Sequence, residues 1–339
     1  MHAPHDILIL AGDIGGTNAR LALLAPAGGR LAFVREQTFA SREAPSLESV
    51  LRRFLAGTDH PITHACMGVA GPVRQGRCEA TNLPWIIDAA VLARQLKVPR
   101  VGLLNDLAAQ AHGIGELEAA DFETLNPGMP DPQGHCALIA AGTGLGQAGL
   151  YRHGEELRPF ACEGGHADFA PRNHLEMALL DHLLKQHSRV SAERLVSGRG
   201  LVNIYHFLKA RGAGEEPTWL AEALASDDPA AVISRAALDG RSPLCDQALD
   251  LFVTLYGAEA GNLALKLMAT SGVYLGGGIA PKIVARLREP LFMNAFTAKG
   301  RMKPLMQAMP VRVILNPKTA LLGAARVALA LSEGSNHGK

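Results

Sequence analysis

No run of 18 apolar residues occurs in this sequence, which excludes a helix long enough to span a bilayer. Charge of one sign is also missing. The formal net charge is +1 and no block of like charge appears, which argues against a nucleic-acid surface or a membrane patch. An acidic ligand therefore has to be met by local geometry. Cysteine is scarce: Cys66, Cys78, Cys136, Cys162 and Cys245 are odd in number, widely spaced and form no C-x-x-C pair. Reduced thiols in a cytoplasmic protein are expected, most of them packed in a core. The opening MHAPHDILILAGD carries neither a basic segment nor a small-residue cleavage site, so no signal peptide is expected. Low-complexity tracts and solenoid periods are absent. With 339 residues, 48% apolar and 19% charged, the chain reads as an ordinary globular protein of two domains.

Two stretches stand out, LAGDIGGTNARLALL near the start and LIAAGTGLGQAGLY well downstream. Each is an apolar run, a glycine-rich turn with a threonine, and a second apolar run, which reads as strand, tight turn, strand. Two such hairpins far apart suggest two related halves. Glycine lets a backbone turn approach a ligand closely, so that its N–H groups point at phosphate oxygens. The second stretch also contains a G-x-G-x-x-G match, Gly144 to Gly149. A dinucleotide fingerprint has to open a helix. Here a second strand through Leu150 and Tyr151 and a turn at His153-Gly154 follow, so the match is read as accidental.

Along the chain, Ile7–Leu10, Leu21–Leu24, Leu31–Val34, His64–Val69, Val101–Leu104, Cys136–Ala140, Val273–Leu275 and Val311–Leu315 read as strands. Pro26 to Gly29 reads as a turn. Ser46–Leu55, Asp88–Leu96, Leu107–His112, His174–His187 behind Asn173, Asp250–Ala269 and Thr319–Leu331 read as helices. Strands alternating with helices indicate α/β layers.

Asp13 lies beside the backbone donors of the first turn, an arrangement that suits a phosphate site when Mg²⁺ mediates, since that ion takes oxygen ligands and keeps most of its waters. A plain hairpin turn has the same composition. Asn105-Asp106 follows an apolar strand, and ligand groups of α/β sheets gather at strand carboxyl ends. Such a carboxylate can accept the proton of a hydroxyl attacking a phosphoryl group; as a compatible alternative, Asp106 caps the next helix. Glu163 and His166 in Glu-Gly-Gly-His suit the hydroxyls of a sugar. The spacing is not a zinc pattern. Ser191-Ala-Glu193 reads as an N-cap region. Gly276, Gly277 and Gly278 leave a side-chain-free surface for a base or ribose, or form a strand-to-helix turn with Pro281 at the first helical position.

GDIGGTNARLAL, GPV, TNLPW, NDLAAQAHG, AAGTGLGQAGL, EGGHADFAPRN, SAERLVSGRGLVNIY, LGGGIAPK and LLGAARVAL, in this order, resemble the bacterial glucokinase family of the actin-like ATPase and sugar kinase superfamily. The resemblance implies a two-domain α/β actin-like ATPase (ribonuclease H-like) fold with an interdomain cleft. Residues 1–113 and 318–339 would form the small domain and 114–317 the large one. It implies ATP-dependent phosphorylation of D-glucose at the 6-hydroxyl, the entry step of glycolysis. Asp106 would be the general base, and Asn105, Glu163, His166 and Glu193 would bind the sugar hydroxyls with it. Gly12, Asp13, Gly15, Gly16, Thr17 and Asn18 would form the first phosphate motif, with Asp13 near Mg²⁺ through water. Gly142, Thr143 and Gly144 would form the second, and Gly276–Gly278 would face adenosine. A cytoplasmic homodimer binding glucose and ATP, with no nucleic acid or membrane partner, is implied as well. ROK-type sugar kinases and repressors share the first turn but carry a cysteine-rich zinc motif after their EGGH-like segment. This sequence lacks that motif, and the few residues before Ile7 leave no room for a winged-helix domain, so a sugar-responsive repressor is not expected. A non-catalytic sugar sensor on a kinase fold and a kinase for another hexose stay open as alternatives; a dinucleotide-dependent oxidoreductase rests on the lone G-x-G-x-x-G.

Overall fold

Strands β1 (Ile9–Ile14), β2 (Asn18–Ala27), β3 (Arg30–Ala40), β4 (His64–Val69) and, beyond a small antiparallel sheet of β5 (Val73–Arg74), β6 (Arg77–Glu79) and β7 (Ile86–Asp88), β8 (Val101–Asn105) open a computed structural model that describes residues 7–58, 60–80 and 83–333. Thr81 and Asn82 of the TNLPW stretch lie outside the described residues, as do the first six residues of the chain. The main sheet runs β3-β2-β1-β4-β8. β1 pairs antiparallel with β2 and parallel with β4, which pairs parallel with β8.

Both faces of this sheet are covered, and the alternation of side chains along each strand sorts its apolar residues between them. Leu10, Leu21 and Met67 pack with Leu51 and Phe54 of α1 (Leu47–Leu55) and Leu92 of α2 (Ala89–Leu96). Ile9, Ala11, Ala22 and Leu24 pack with Leu321, Ala325 and Ala328 of the closing helix, Thr319–Glu333. That helix also crosses α3 (Asp106–Gly113) with the two backbones in contact. A Cβ on Gly113 would lie 1.9 Å from the Thr319 carbonyl oxygen, and one on Gly323 1.8 Å from that of Ala109. Trp85, buried, donates its indole N–H to the Ala44 carbonyl at 3.1 Å.

The chain divides into two compact units. One takes the residues up to Ala119 and again from Asn316; the other is Ala120–Leu315. The second unit has β9 (Phe122–Asn126), β10 (Cys136–Ala141), β11 (Leu145–His153), β12 (Glu156–Cys162), β13 (Gly272–Gly276) and β14 (Val311–Ile314), ordered β12-β11-β10-β13-β14-β9. β12, β11 and β10 are antiparallel, and β10, β13 and β14 parallel, which repeats the strand order of the first unit. Helices α4 (His174–Leu184), α5 (Gly198–Ala210), α6 (Thr218–Ser226), α7 (Pro229–Leu238), α8 (Pro243–Leu267), α9 (Val284–Leu287), α10 (Pro290–Thr297) and α11 (Lys303–Ala308) complete it. Tyr256 of buried α8 donates to the Ile139 carbonyl of β10 at 3.2 Å. On α6, Trp219 lies under the Arg241 guanidinium, 4.2 Å from the ring centre.

Several sequence expectations change. In the β2–β3 hairpin, β2 runs through Pro26 to Ala27, and the turn is Gly28-Gly29 alone, both left-handed (φ 57° and 81°), as a tight two-residue connection demands. As the sequence indicated, Gly144 to Gly149 leads into and along β11 and opens no helix, which rules out a dinucleotide fingerprint there. α8 starts seven residues before Asp250, at Pro243 behind the Ser242 cap, and Asp246 and Asp250 on its flank pair with Arg286. α4 ends at Leu184, where Gln186 and His187 both donate to the Leu183 carbonyl and tighten the last turn. Pro281 falls in a 3-10 turn, Ala280–Ile283, ahead of α9. Among the described residues no helix is long and apolar enough to cross a membrane. All five cysteines are free, and only Cys162 is exposed.

Candidate active site

In the first unit, Asp13 and Asn105 stand at the carboxyl ends of parallel strands β1 and β8, with β4 between them, and Asp106 follows directly. Asn105, not Asp106, caps α3: its Oδ1 accepts from Leu107 N–H at 3.0 Å and Ala108 N–H at 3.4 Å. Its Nδ2 donates to the Gly71 carbonyl at 3.3 Å. Asp106 is the first residue of the helix, and its Oδ1 accepts from Leu107 N–H at 2.9 Å. Gly68 of β4 lets this residue come close; a Cβ there would lie 3.7 Å from the Asp106 Cα and 2.8 Å from the Ala109 Cβ. The thiol of Cys78 is pushed up by burial and then by the negative charges of Asp106 and Glu79, so it stays protonated.

The first glycine turn closes with Gly15 N–H donating to the Asn18 carbonyl at 2.9 Å. Ser41, fully buried, clamps it from the end of β3: its hydroxyl donates to the Gly15 carbonyl at 2.8 Å and its N–H to the Thr17 carbonyl at 2.9 Å. No sequence signal marks Ser41. Burial pushes the Asp13 carboxyl above its ordinary value, and Arg20, its cross-strand partner, partly opposes the rise. A buried carboxylate with one cation nearby is a poor resting place for negative charge and a good ligand for a divalent ion.

In the second unit the turn Gly142–Gly144 joins β10 to β11, closed by Gly142 N–H to the Gly144 carbonyl at 2.9 Å. The Gly276–Gly278 segment ends the neighbouring strand β13, and Ile279 N–H donates to the Ala141 carbonyl at 3.2 Å, so the two glycine segments lie side by side. A Cβ at Gly142 or Gly278 would meet nothing within 4 Å, which leaves an open backbone surface. Gly277 is left-handed (φ 79°) and presses on Ala141. Gly198, the first residue of α5, donates to the Gly142 carbonyl at 2.8 Å, bringing a helix N-terminus to the turn. Ser197, which caps α5, was the available signal for it.

Glu163 and His166 lie on a short turn after β12, with side chains 79% and 56% exposed and Oε2 and Nε2 3.9 Å apart. Their two glycines are steric necessities. A Cβ on Gly165 would lie 2.0 Å from the Leu145 carbonyl oxygen, and one on Gly164 2.0 Å from Oε1 of Gln147. The turn thus rests directly on the first residues of β11. Arg189 fixes its far end, donating to the His166 carbonyl at 2.6 Å and to Asp168 at 2.9 Å. The Ser191–Arg194 segment pairs with it through Ala192 N–H to the Ala167 carbonyl at 2.9 Å. Ser191 makes no side-chain cap; the segment is a 3-10 turn that presents Glu193. The Glu193 Oε2 accepts Leu145 N–H at 2.9 Å, so this carboxylate sits on the same strand start. Glu163, His166, Glu193 and the Gly142–Gly144 turn therefore share one platform, residues 144–147. A cavity of about 190 Å³ in this unit, bordered by Phe169, Arg172, Glu259 and Lys299, contains none of the sequence-predicted site residues.

Two repeats of one strand order, each with a glycine hairpin between interior strands, define the actin-like ATPase fold of the sugar kinases. The crystal structure of glucokinase from an Antarctic psychrotroph is similar with a TM-score of 0.83 and 31% identity, covering 95% of this chain and 99% of that one. A ROK family glucokinase from Streptomyces griseus, in complex with glucose and AMPPNP, shares the fold at a TM-score of 0.63 and 22% identity, with 95% of this chain and 99% of that one covered. The sequence model of the glucokinase family matches residues 10–331. The glucokinase of Nostoc punctiforme is 44% identical over 96% of this chain and 99% of its own length. The chain belongs to the glucokinase family.

Proposed function

We infer that this protein transfers the terminal phosphoryl group of ATP to the 6-hydroxyl of D-glucose, yielding glucose 6-phosphate and ADP. The observation that carries this reading is likeness to glucokinases along nearly the whole chain. In the residue roles we propose, the sugar 6-oxygen attacks the γ-phosphorus as the bond to the ADP oxygen breaks, and Asp106 takes the hydroxyl proton. The Asp106 carboxylate is suited to this because the start of α3 holds it, through Leu107 N–H, at a strand's carboxyl end. Asn105, Glu163, His166 and Glu193 bind the sugar hydroxyls, and Asp106 contacts the one that reacts. Glu163 and His166 project from the exposed turn and Glu193 offers the carboxylate oxygen that Leu145 does not take. In Asn105 only one amide hydrogen remains beyond its structural bonds.

Gly12, Asp13, Gly15, Gly16, Thr17 and Asn18 cradle phosphate oxygens in the first unit, and Gly142, Thr143 and Gly144 do so in the second. Gly276–Gly278 offers the open surface to adenosine. Mg²⁺ fits at Asp13, a single carboxylate beside backbone donors, where it would neutralise phosphate charge; among the described residues no group of three acidic, histidine or cysteine ligands competes for it. We place the enzyme in the cytoplasm as a homodimer, on its free thiols and its family.

An ADP-release assay with Mg-ATP and a hexose panel tests the reading. Glucose-dependent turnover is expected, falling by roughly 10²–10⁴ in Asp106→Asn with glucose still bound. Glucose binding by calorimetry without turnover in the parent protein would mark a sensor instead; unchanged kcat in Asp106→Asn would remove its role as base.

A further inference from the structure

Gln147 is a polar side chain with no place in the roles above, yet it is 2% exposed near the start of β11. A buried amide has to be hydrogen-bonded. Its Nε2 donates to Oε1 of Glu259, on α8, at 2.8 Å. The second oxygen of that carboxylate accepts from Asn262 Nδ2 at 3.0 Å. The Asn262 Oδ1 in turn accepts from Lys299 Nζ at 2.5 Å, and Lys299 also donates to the Ala258 carbonyl at 3.0 Å.

This chain has only one sense. An ammonium group has donors alone and a carboxylate acceptors alone, so the two amides between and beyond them cannot turn over without breaking a bond. Glu259 thereby fixes the Gln147 amide with its nitrogen toward α8 and its oxygen toward Gly164. That oxygen stands 2.0 Å from where a Gly164 Cβ would be, so the turn carrying Glu163 and His166 lies on it. Cys162, the cross-strand partner of Gln147, leads straight into that turn.

We propose that Gln147 and Glu259 are positioning residues for the sugar site: the carboxylate locks the amide, and the amide sets where Glu163 and His166 stand. The proposal rests on the reading that these two residues hold sugar hydroxyls. An apolar residue at 147 would leave the Glu259 acceptor without its partner and the turn without a directional seat.

Steady-state kinetics on Gln147→Met, Glu259→Gln, Glu163→Gln and the Gln147→Met/Glu163→Gln double variant test it. Losing a buried hydrogen bond to a charged group predicts a glucose KM raised about tenfold in Gln147→Met. kcat should stay within about threefold and the ATP KM within about twofold, since only ground-state placement of the sugar is lost. Glu259→Gln keeps one acceptor oxygen for Gln147 Nε2 but sets an NH2 against Asn262 Nδ2, so its glucose KM should rise less than that of Gln147→Met. In the Glu163→Gln background the Gln147→Met change should add less than about twofold, because both act through one turn. Additive effects, a parallel rise in the ATP KM, or a parental glucose KM in Gln147→Met would overturn the proposal. Should that variant not fold, Asn262→Leu cuts the same chain one link further out and is held to the same outcomes. An unchanged glucose KM in Glu163→Gln brings down the sugar reading itself, and the proposal with it; a raised KM there beside a parental one in Gln147→Met removes the positioning role alone.

Discussion

The β1–β2 and β10–β11 hairpins occupy equivalent places in two sheets of the same strand order, and they are held in different ways. The first carries its own charge, Asp13 opposite Arg20, and is clamped by one small side chain, Ser41. The second has no titratable group in its turn. Its chemistry arrives from later in the chain: the Glu163–His166 turn rests on it, Glu193 binds Leu145, and α5 begins against Gly142. Repeating a topology gives two similar seats at strand ends; what the chain lays on each seat afterwards decides its role. The first hairpin is thus the more self-contained, and the second is a shared floor whose disturbance reaches several functional residues.

Matched glycine substitutions should break this parity most visibly. In Gly165→Ala the new methyl meets a backbone oxygen that has no room to retreat, so a loss of about 3 kcal/mol or more in stability is expected, with glucose binding abolished in calorimetry. At Gly15 the nearest atom is 3.3 Å away, and Gly15→Ala should cost about 1 kcal/mol or less by urea denaturation. Equal losses would mean that the two turns are equally crowded. Ser41→Ala comes next. Removing the hydroxyl leaves the Gly15 carbonyl unpaired, for an expected 1–2 kcal/mol or so of stability and an ATP KM raised several-fold, while the glucose KM stays at its parental value. A shift in the glucose KM would show that the first hairpin is not self-contained.

The smallest effect concerns Asp13. Its carboxyl holds a proton more tightly folded than unfolded, so its contribution to stability is fullest below about pH 3.9 and declines as pH rises through the raised folded value. Asn carries no such decline. The Asp13→Asn protein should therefore melt a few degrees higher at pH 7, with the gap closing toward pH 3. A gap of constant size would show that burial does not govern this group.

Both hairpins were legible in the sequence because each is a local pattern, apolar runs around a glycine turn. Asp106 was legible as the polar residue that ends an apolar strand, although its neighbour Asn105 takes the capping role assigned to it. The small β5–β7 sheet has strands too short for any periodicity to register. α5 to α7 passed unread between the glycine motifs. Ser41 reaches back 26 positions to Gly15, and Glu259 lies 112 positions from Gln147, so their roles exist only once the chain has folded. The Gly164-Gly165 pair was readable as a loop, but its reason, contact with β11, belongs to packing.

Trp85 and Trp219 are the only tryptophans, and each unit holds one. Trp85, enclosed and hydrogen-bonded, should emit toward the blue; Trp219, partly exposed beneath a guanidinium, toward the red. Replacing either with phenylalanine leaves a single intrinsic fluorophore in a chosen half of the molecule, so that denaturation of each half can be followed by light alone, without any attached dye.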